Sequence, residues 1–468
     1  LSDPVTAALL DDQQGIIHRL SALIAAPSVS TDPAFGEGMK RARAILMARL
    51  REAGFNNVAE LPAPGHAAVT GEWLGAPGKP TLLIYGHYDV QPPDPLDLWQ
   101  SPPFELTQRD GRLYGRGASD DKGPMCLAIE VLAAFLKVEG KLPVNVKLLL
   151  EGEEECGSPS LPGLLRDNLA RLQADAVLSA DGARWRADLP TLTVGTRGNA
   201  GFEFTLTTAA KDLHSGRYGG AVPNALHAMA RLIATLHDAS GGTAVAGYLN
   251  DAVLITAEER ASLATIPFDD AQFHKGLGTA GFGVADATTL ERLWYHPTIE
   301  VNGLWGGYTG AGSKTVIPHE AHAKITLRLV PGQDPKHATD SVRAHLLAHA
   351  PPGATLRFDG ERGASRAYAL SGTHPLLIAA ETALRETTGQ QPTRVRMGAT
   401  LPMAAMVSET VGLDTVMFSF STSDEDYHAP NEFLRVSALA EGARAWVMLL
   451  REAGKLTPAD FARFRRIP

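Results

Sequence analysis

Apolar residues recur at helical spacing through roughly the first 55 positions. Ile16, Ile17, Leu20, Leu23 and Ile24 share one face, and Ala44, Ile45, Leu46 and Leu50 share another. Gly54 supplies a stop signal. Short unbroken apolar runs follow: T-L-L-I-Y (81–85), V-N-V-K-L-L-L-E (144–151) and A-D-A-V-L-S (174–179). A helical stretch, Met125 to Leu136, separates the first two. Strands that are apolar on both faces and alternate with helices predict a buried, largely parallel sheet.

The texture changes near residue 196. G-F-E-F-T-L-T-T (201–208) and A-H-A-K-I-T-L-R-L-V (321–330) alternate with period two, as half-exposed strands do. Helical segments, Ala225 to Leu236 and Ala338 to Leu347, accompany them. Beyond about 370, helix and strand patterns alternate again: 375–385, then 414–420, then a last helix near 436–452. The expected architecture is therefore α/β. One domain with a mixed, mostly parallel sheet is made of residues 1–195 and 369–468, and an α+β domain, 196–368, is inserted into it.

Composition narrows the function. The chain has 468 residues, 44% of them apolar, enough to bury a real core. Its net charge of −9 argues against nucleic acid held by bulk electrostatics. No apolar run approaches the ~18 residues that cross a bilayer, so no membrane partner is expected. The opening L-S-D-P-V-T lacks a basic and then apolar leader, and a cytoplasmic location is the expectation. Two cysteines, Cys126 and Cys156, are too few for a thiolate zinc site, so any metal must be held by His and carboxylate.

Such residues gather at expected strand ends, where open α/β sheets bind ligands. His87 and Asp89, in G-H-Y-D-V-Q-P, follow the first strand at same-side spacing. G-R-G-A-S-D-D-K-G (115–123) places Asp120 and Asp121 before a helix, where either could simply be an N-cap. L-E-G-E-E-E-C-G-S (150–158) follows another strand. An acidic run is usually a solvated turn, but carboxylates this close repel strongly at low dielectric, and a cation relieves that. Asp181 in S-A-D-G and His428 in D-Y-H-A-P-N-E follow two further strands. Carboxylates with imidazole suit divalent zinc, manganese or cobalt.

In this order the motifs H-Y-D, G-R-G-A-S-D-D-K-G, G-E-E-E-C-G-S, S-A-D-G and Y-H-A-P-N-E resemble those of peptidase family M20, and in particular its carnosinase-like dipeptidase branch. The resemblance implies two divalent metal ions per subunit, zinc first. His87 and Asp181 would hold one, Glu155 and His428 the other, and Asp120 would bridge them. It implies that Asp89 orients His87 and that Glu154 is the general base. Anchoring the acidic run on Gly157-Ser158 selects Glu154 and Glu155 over Glu153 and Glu154. It also implies a cis peptide between Asp120 and Asp121.

The inserted domain resembles the family's ferredoxin-like lid and dimerisation domain, through D-L-H-S-G-R-Y-G-G (212–220) and G-S-K-T-V-I-P (312–318). His214 would stabilise the oxyanion in the partner subunit of a homodimer, and Thr315 and Arg328 would hold the substrate carboxylate. The implied reaction is hydrolysis of short peptides, dipeptides above all, by a metal-bound hydroxide. The alternative is an N-acyl amino acid amidohydrolase or deacylase. One departure concerns the substrate: M-G-A-T-L-P (397–402) stands where the branch carries Gly-Gly-(Ser/Thr)-Ile-Pro.

Overall fold

The apolar runs of the sequence form the centre of a six-stranded sheet. Its order is Asn56–Leu61, Ala68–Trp73, Asn145–Glu151, Thr81–His87, Ala176–Ser179 and Thr415–Met417. The last four strands are parallel to one another, and the first two join antiparallel at one side. In the computed structural model, which describes residues 3–465, this sheet belongs to the first of two units. That unit comprises the chain up to Val194, Leu370–Val395 and the chain from Met403 onward; the other comprises Gly195–Ala369 and Arg396–Pro402.

Strands Thr81–His87 and Asn145–Glu151 are buried along almost their whole length, as double-sided apolar runs require. On one face Leu83, Tyr85, Leu149 and Val177 pack against Leu161, Leu165, Met403 and Val407. The helix Lys122–Glu139 packs against strand Thr81–His87 and against the helices Gln13–Ile24 and Val436–Ala453. The mixed α/β class and mostly parallel sheet expected from the sequence are what the structure contains. The hairpin Asn56–Leu61/Ala68–Trp73 was not foreseen, because N-N-V-A-E-L carries no clear apolar period. The expected strand at 414–420 pairs only over Thr415–Met417.

The second unit has four antiparallel strands in the order Thr298–Gly306, Glu320–Leu329, Gly198–Thr207, Thr355–Ser365. With helices Ala225–Ala234 and Pro335–His349 the chain order is β-α-β-β-α-β, the ferredoxin-like arrangement. Phe202, Phe204, Leu206, Ile325 and Leu327 alternate inward onto Met229, Leu232, Val342 and Leu346. Three short helices, Ala257–Leu263, Asp270–Leu277 and Thr289–Tyr295, fill the passage between the first helix and the second strand. Two of them start at T-x-x-E capping boxes, Thr256/Glu259 and Thr288/Glu291, a signal present in the sequence but not read from it.

Candidate metal centre

The four parallel strands of the first unit point their carboxyl ends the same way, and each leads into one of the acidic or histidine motifs. His87 is the last residue of its strand, level with Glu151 on the next. The chain after Glu151 turns through 153–156, Asp181 lies two residues past Ser179, and the segment after Met417 runs on to His428. Asp120 sits on the turn before helix Lys122–Glu139, reached through Gly117, whose φ of +87° few side chains tolerate. The Asp120–Asp121 peptide is cis.

These elements bring five side chains together. His87 Nε2 lies 3.1 Å from Asp120 Oδ1 and 3.9 Å from Asp181 Oδ2. His428 Nε2 lies 3.1 Å from both Asp120 Oδ2 and Glu155 Oε2. The ligand-type atoms thus form two groups, His87/Asp120/Asp181 and Asp120/Glu155/His428, with Asp120 common to both. In each group the atoms lie within 4.8 Å of one another. His87 is fully buried, whereas His428 is 53% exposed, so one end of the cluster is open to solvent.

Asp89 has two tasks in this geometry. Its backbone oxygen lies 3.1 Å from His87 Nδ1 and its carboxylate 3.4 Å from the same nitrogen. The carboxylate also accepts the Glu154 N–H at 3.2 Å and the Glu155 N–H at 3.0 Å. One buried acid therefore fixes both the imidazole and the turn that carries the two glutamates. Glu153 points elsewhere, accepting from the backbone N–H of His66 at 2.8 Å and of Ser160 at 3.1 Å. Gly65 makes room for this, because a Cβ there would collide with the Glu153 carboxylate. Asp121 occupies the N-cap position of helix Lys122–Glu139 but its side chain does not cap it; it accepts the His87 backbone N–H at 3.1 Å instead.

The electrostatics are those of crowded acids. Burial pushes Glu154 well above the usual carboxylate range, and Asp181, Asp120 and Glu155 push it further against the pull of His87. Burial likewise raises Asp181 to about 7. Asp120 is the exception: burial raises it, but hydrogen bonds from His428 and His87 hold it low. Hydrogen bonds to Asp120 and Glu155 raise His428 to about 10. One buried oxygen of the cluster, Asp181 Oδ2, has no hydrogen-bond partner among the described residues. Crowded carboxylates, two imidazoles and an orphaned oxygen facing them form a donor set that fits divalent cations.

The remaining expected site residues belong to the second unit. His214 and Thr315 sit together on a two-stranded ribbon, with Leu213–His214 paired to Val316–Ile317 and Ser215 N–H donating to Thr315 O at 3.1 Å. His214 is exposed, and its Nδ1 accepts the Gly216 N–H at 3.0 Å. That bond leaves the proton on Nε2, facing outward as a donor. Arg328 lies on strand Glu320–Leu329, half-buried, donating to Thr400 Oγ1 at 3.1 Å. Arg197 holds the same M-G-A-T-L-P loop, through its Nε donating to Gly398 O at 2.8 Å. Burial and the nearby Arg328 lower Arg197 to about 10. Among the described residues neither arginine has a carboxylate within ion-pair distance, which leaves two neighbouring cations whose charge an anion would neutralise. The partnership of Arg328 with Thr400 was invisible in the sequence, because it spans 72 residues.

A mixed sheet whose carboxyl edge gathers imidazoles and carboxylates into two linked groups has the build of an α/β metallohydrolase. Residues 83–452 match the profile of "Peptidase family M20/M25/M40", and the chain belongs to that family. It is 32% identical to human Beta-Ala-His dipeptidase over 85% of this chain and 79% of that one. It is 30% identical to the Cys-Gly metallodipeptidase DUG1 of Candida albicans, over 94% of each. Among solved structures it resembles an M20 family metallo-carboxypeptidase, Sso-CP2 from Sulfolobus solfataricus, with a TM-score of 0.81 and 31% identity, covering 94% of this chain and 99% of that one.

Proposed function

We propose that this protein hydrolyses dipeptides, using two divalent metal ions, zinc first, held by His87, Asp181, Glu155, His428 and a shared Asp120. The observation that carries the reading is the convergence of these five side chains into two groups joined at Asp120, with Glu154 half-buried beside them. Relatives named for β-Ala-His and Cys-Gly dipeptides over most of the chain support the substrate class. Bound ions would supply Lewis acidity toward the scissile carbonyl and acidify water.

The protein's own residues do the rest. Glu154 takes the proton of the attacking water and returns it to the leaving amine. Asp89 holds His87 and the Glu154–Glu155 turn in register. Arg328, with no carboxylate within ion-pair distance among the described residues, binds the substrate's C-terminal carboxylate with Thr315. His214 donates from Nε2 to the developing oxyanion in the partner subunit of a homodimer. The dimer reading is supported by strand Thr298–Gly306, an outer strand of its sheet that exposes Val301, Leu304 and Trp305. A reducing, cytoplasmic setting fits two free cysteines. No helix among the described residues is long and apolar enough to cross a membrane.

The test is a substrate panel with metal-reconstituted protein: β-Ala-His, Cys-Gly and other dipeptides against N-acetyl and N-succinyl amino acids. Dipeptides should be cleaved with the higher kcat/KM. Preference for the N-acyl compounds would transfer the protein to the amidohydrolase reading.

A further inference from the structure

Glu432 closes the D-Y-H-A-P-N-E motif and has no part in the chemistry above. Its carboxylate is 1% exposed and accepts four hydrogen bonds. Oε2 takes Arg116 Nη1 at 2.8 Å and Gly117 N–H at 2.8 Å; Oε1 takes Ser119 N–H at 2.8 Å and Asp120 N–H at 3.0 Å. The Glu432 backbone oxygen accepts a fifth, from Gly115 N–H at 3.0 Å. One residue therefore grips the whole turn that ends in Asp120.

The other side of the grip is the loop carrying His428. Three of its non-glycine residues have left-handed backbone, Asp426 (φ 55°), His428 (φ 59°) and Asn431 (φ 66°). Side chains rarely adopt such backbone, and three such residues in one loop keep this shape only if something outside it holds it. Asn431 is tied on one side, accepting Gln100 N–H and donating to Leu98 O, each at 2.8 Å. Glu432 is the tie to the Asp120 turn. The two segments it joins are 312 residues apart in the chain.

We propose that Glu432 is a positioning residue that sets the spacing between Asp120 and His428 and so builds the Asp120/Glu155/His428 group. The proposal rests on the reading that this group holds a metal ion. Four donors on two coplanar oxygens fix both the place and the tilt of the carboxylate. Metal–ligand distances tolerate only about 0.2 Å, so a loosened grip is felt directly in affinity. The other group shares Asp120 but suffers less, because its two remaining members, His87 and Asp181, are carried at or just past strand ends that make no bond to Glu432.

Glu432→Gln tests this. An amide nitrogen in place of one oxygen would face two N–H donors and break two of the four bonds. Chelator-stripped protein is titrated with Zn²⁺ by calorimetry, with the bound metal counted by elemental analysis. The parent should bind two ions. The variant should keep one and bind the second about 10- to 100-fold more weakly, the loss typical when a partner that orients a ligand is removed. Arg116→Met, which deletes one donor, should move the second affinity in the same direction by less. A purely structural role would lower the melting temperature without this split between the ions. Wild-type affinity for both ions in Glu432→Gln, whatever its melting temperature, would overturn the proposal. Should that variant fail to fold, unchanged second-ion affinity in Arg116→Met would overturn it equally. A parent that binds fewer than two ions would instead defeat the metal reading itself, so the two failures are distinct.

Discussion

Glu153 commits both carboxylate oxygens to backbone N–H groups, from His66 and Ser160, while Glu154 is half-buried among the site's acids and Glu155 reaches His428. Three adjacent and chemically identical residues are thus separated by surroundings alone. The consequence is measurable. Glu154→Ala should lower kcat by about 10²- to 10⁴-fold, the usual contribution of a positioned base, with two metal ions still bound by elemental analysis. Glu153→Ala should keep kcat near that of the parent and lose about 1–3 kcal/mol of stability in denaturant unfolding, because two amides lose their acceptor. Inactivity of Glu153→Ala beside an active Glu154→Ala would shift the register by one. The sequence carried this distinction only through Gly157-Ser158. It carried nothing of Asp89 gripping the turn, since that contact joins residues 65 and 66 positions apart.

At the level of elements, much of the candidate site was legible because each ligand follows an apolar run, and apolar runs mark strands whatever their partners. Strand order and the two loops meeting at Glu432 were not legible, because both depend on long-range pairing that no local pattern encodes. A helix start gives another case. His374 precedes helix Pro375–Thr388, with its ring against Phe461 and Phe464 at centroid distances of 5.7 and 4.9 Å. Among the described residues neither ring nitrogen has a hydrogen-bond partner, and burial lowers its pKa to about 4. The unfolded chain, with an ordinary value near 6.5, binds more protons between those limits. Stability from neutral His374 is therefore complete above about pH 6.5 and falls as pH drops toward 4. His374→Leu should remove roughly 2–3 kcal/mol of the stability difference between pH 7 and pH 4.5 in chemical unfolding. Equal pH dependence in parent and variant would refute this account.

For the whole molecule, the outer strand Thr298–Gly306 and the exposed His214 carry the dimer reading. Trp305→Glu together with Leu304→Lys should shift the protein to a monomer in analytical ultracentrifugation at micromolar concentration. Mixing His214→Ala with Glu154→Ala subunits should restore part of the activity each has lost, since one kind of mixed site would then hold both intact residues. No recovery in any mixture would place His214 in its own subunit's site or outside catalysis.

The first unit is built from segments far apart in the chain, and His428 lies 308 residues beyond Asp120. A ribosome adding about 5–20 residues per second needs roughly 15–60 seconds to cover that distance. During that interval the nascent protein already has its early strands and acids but lacks His428 and the Glu432 clamp. On the proposed reading, proteolytic capacity is withheld until the loop carrying His428 has been made, and premature termination anywhere before that loop releases an inert product rather than an unregulated peptidase.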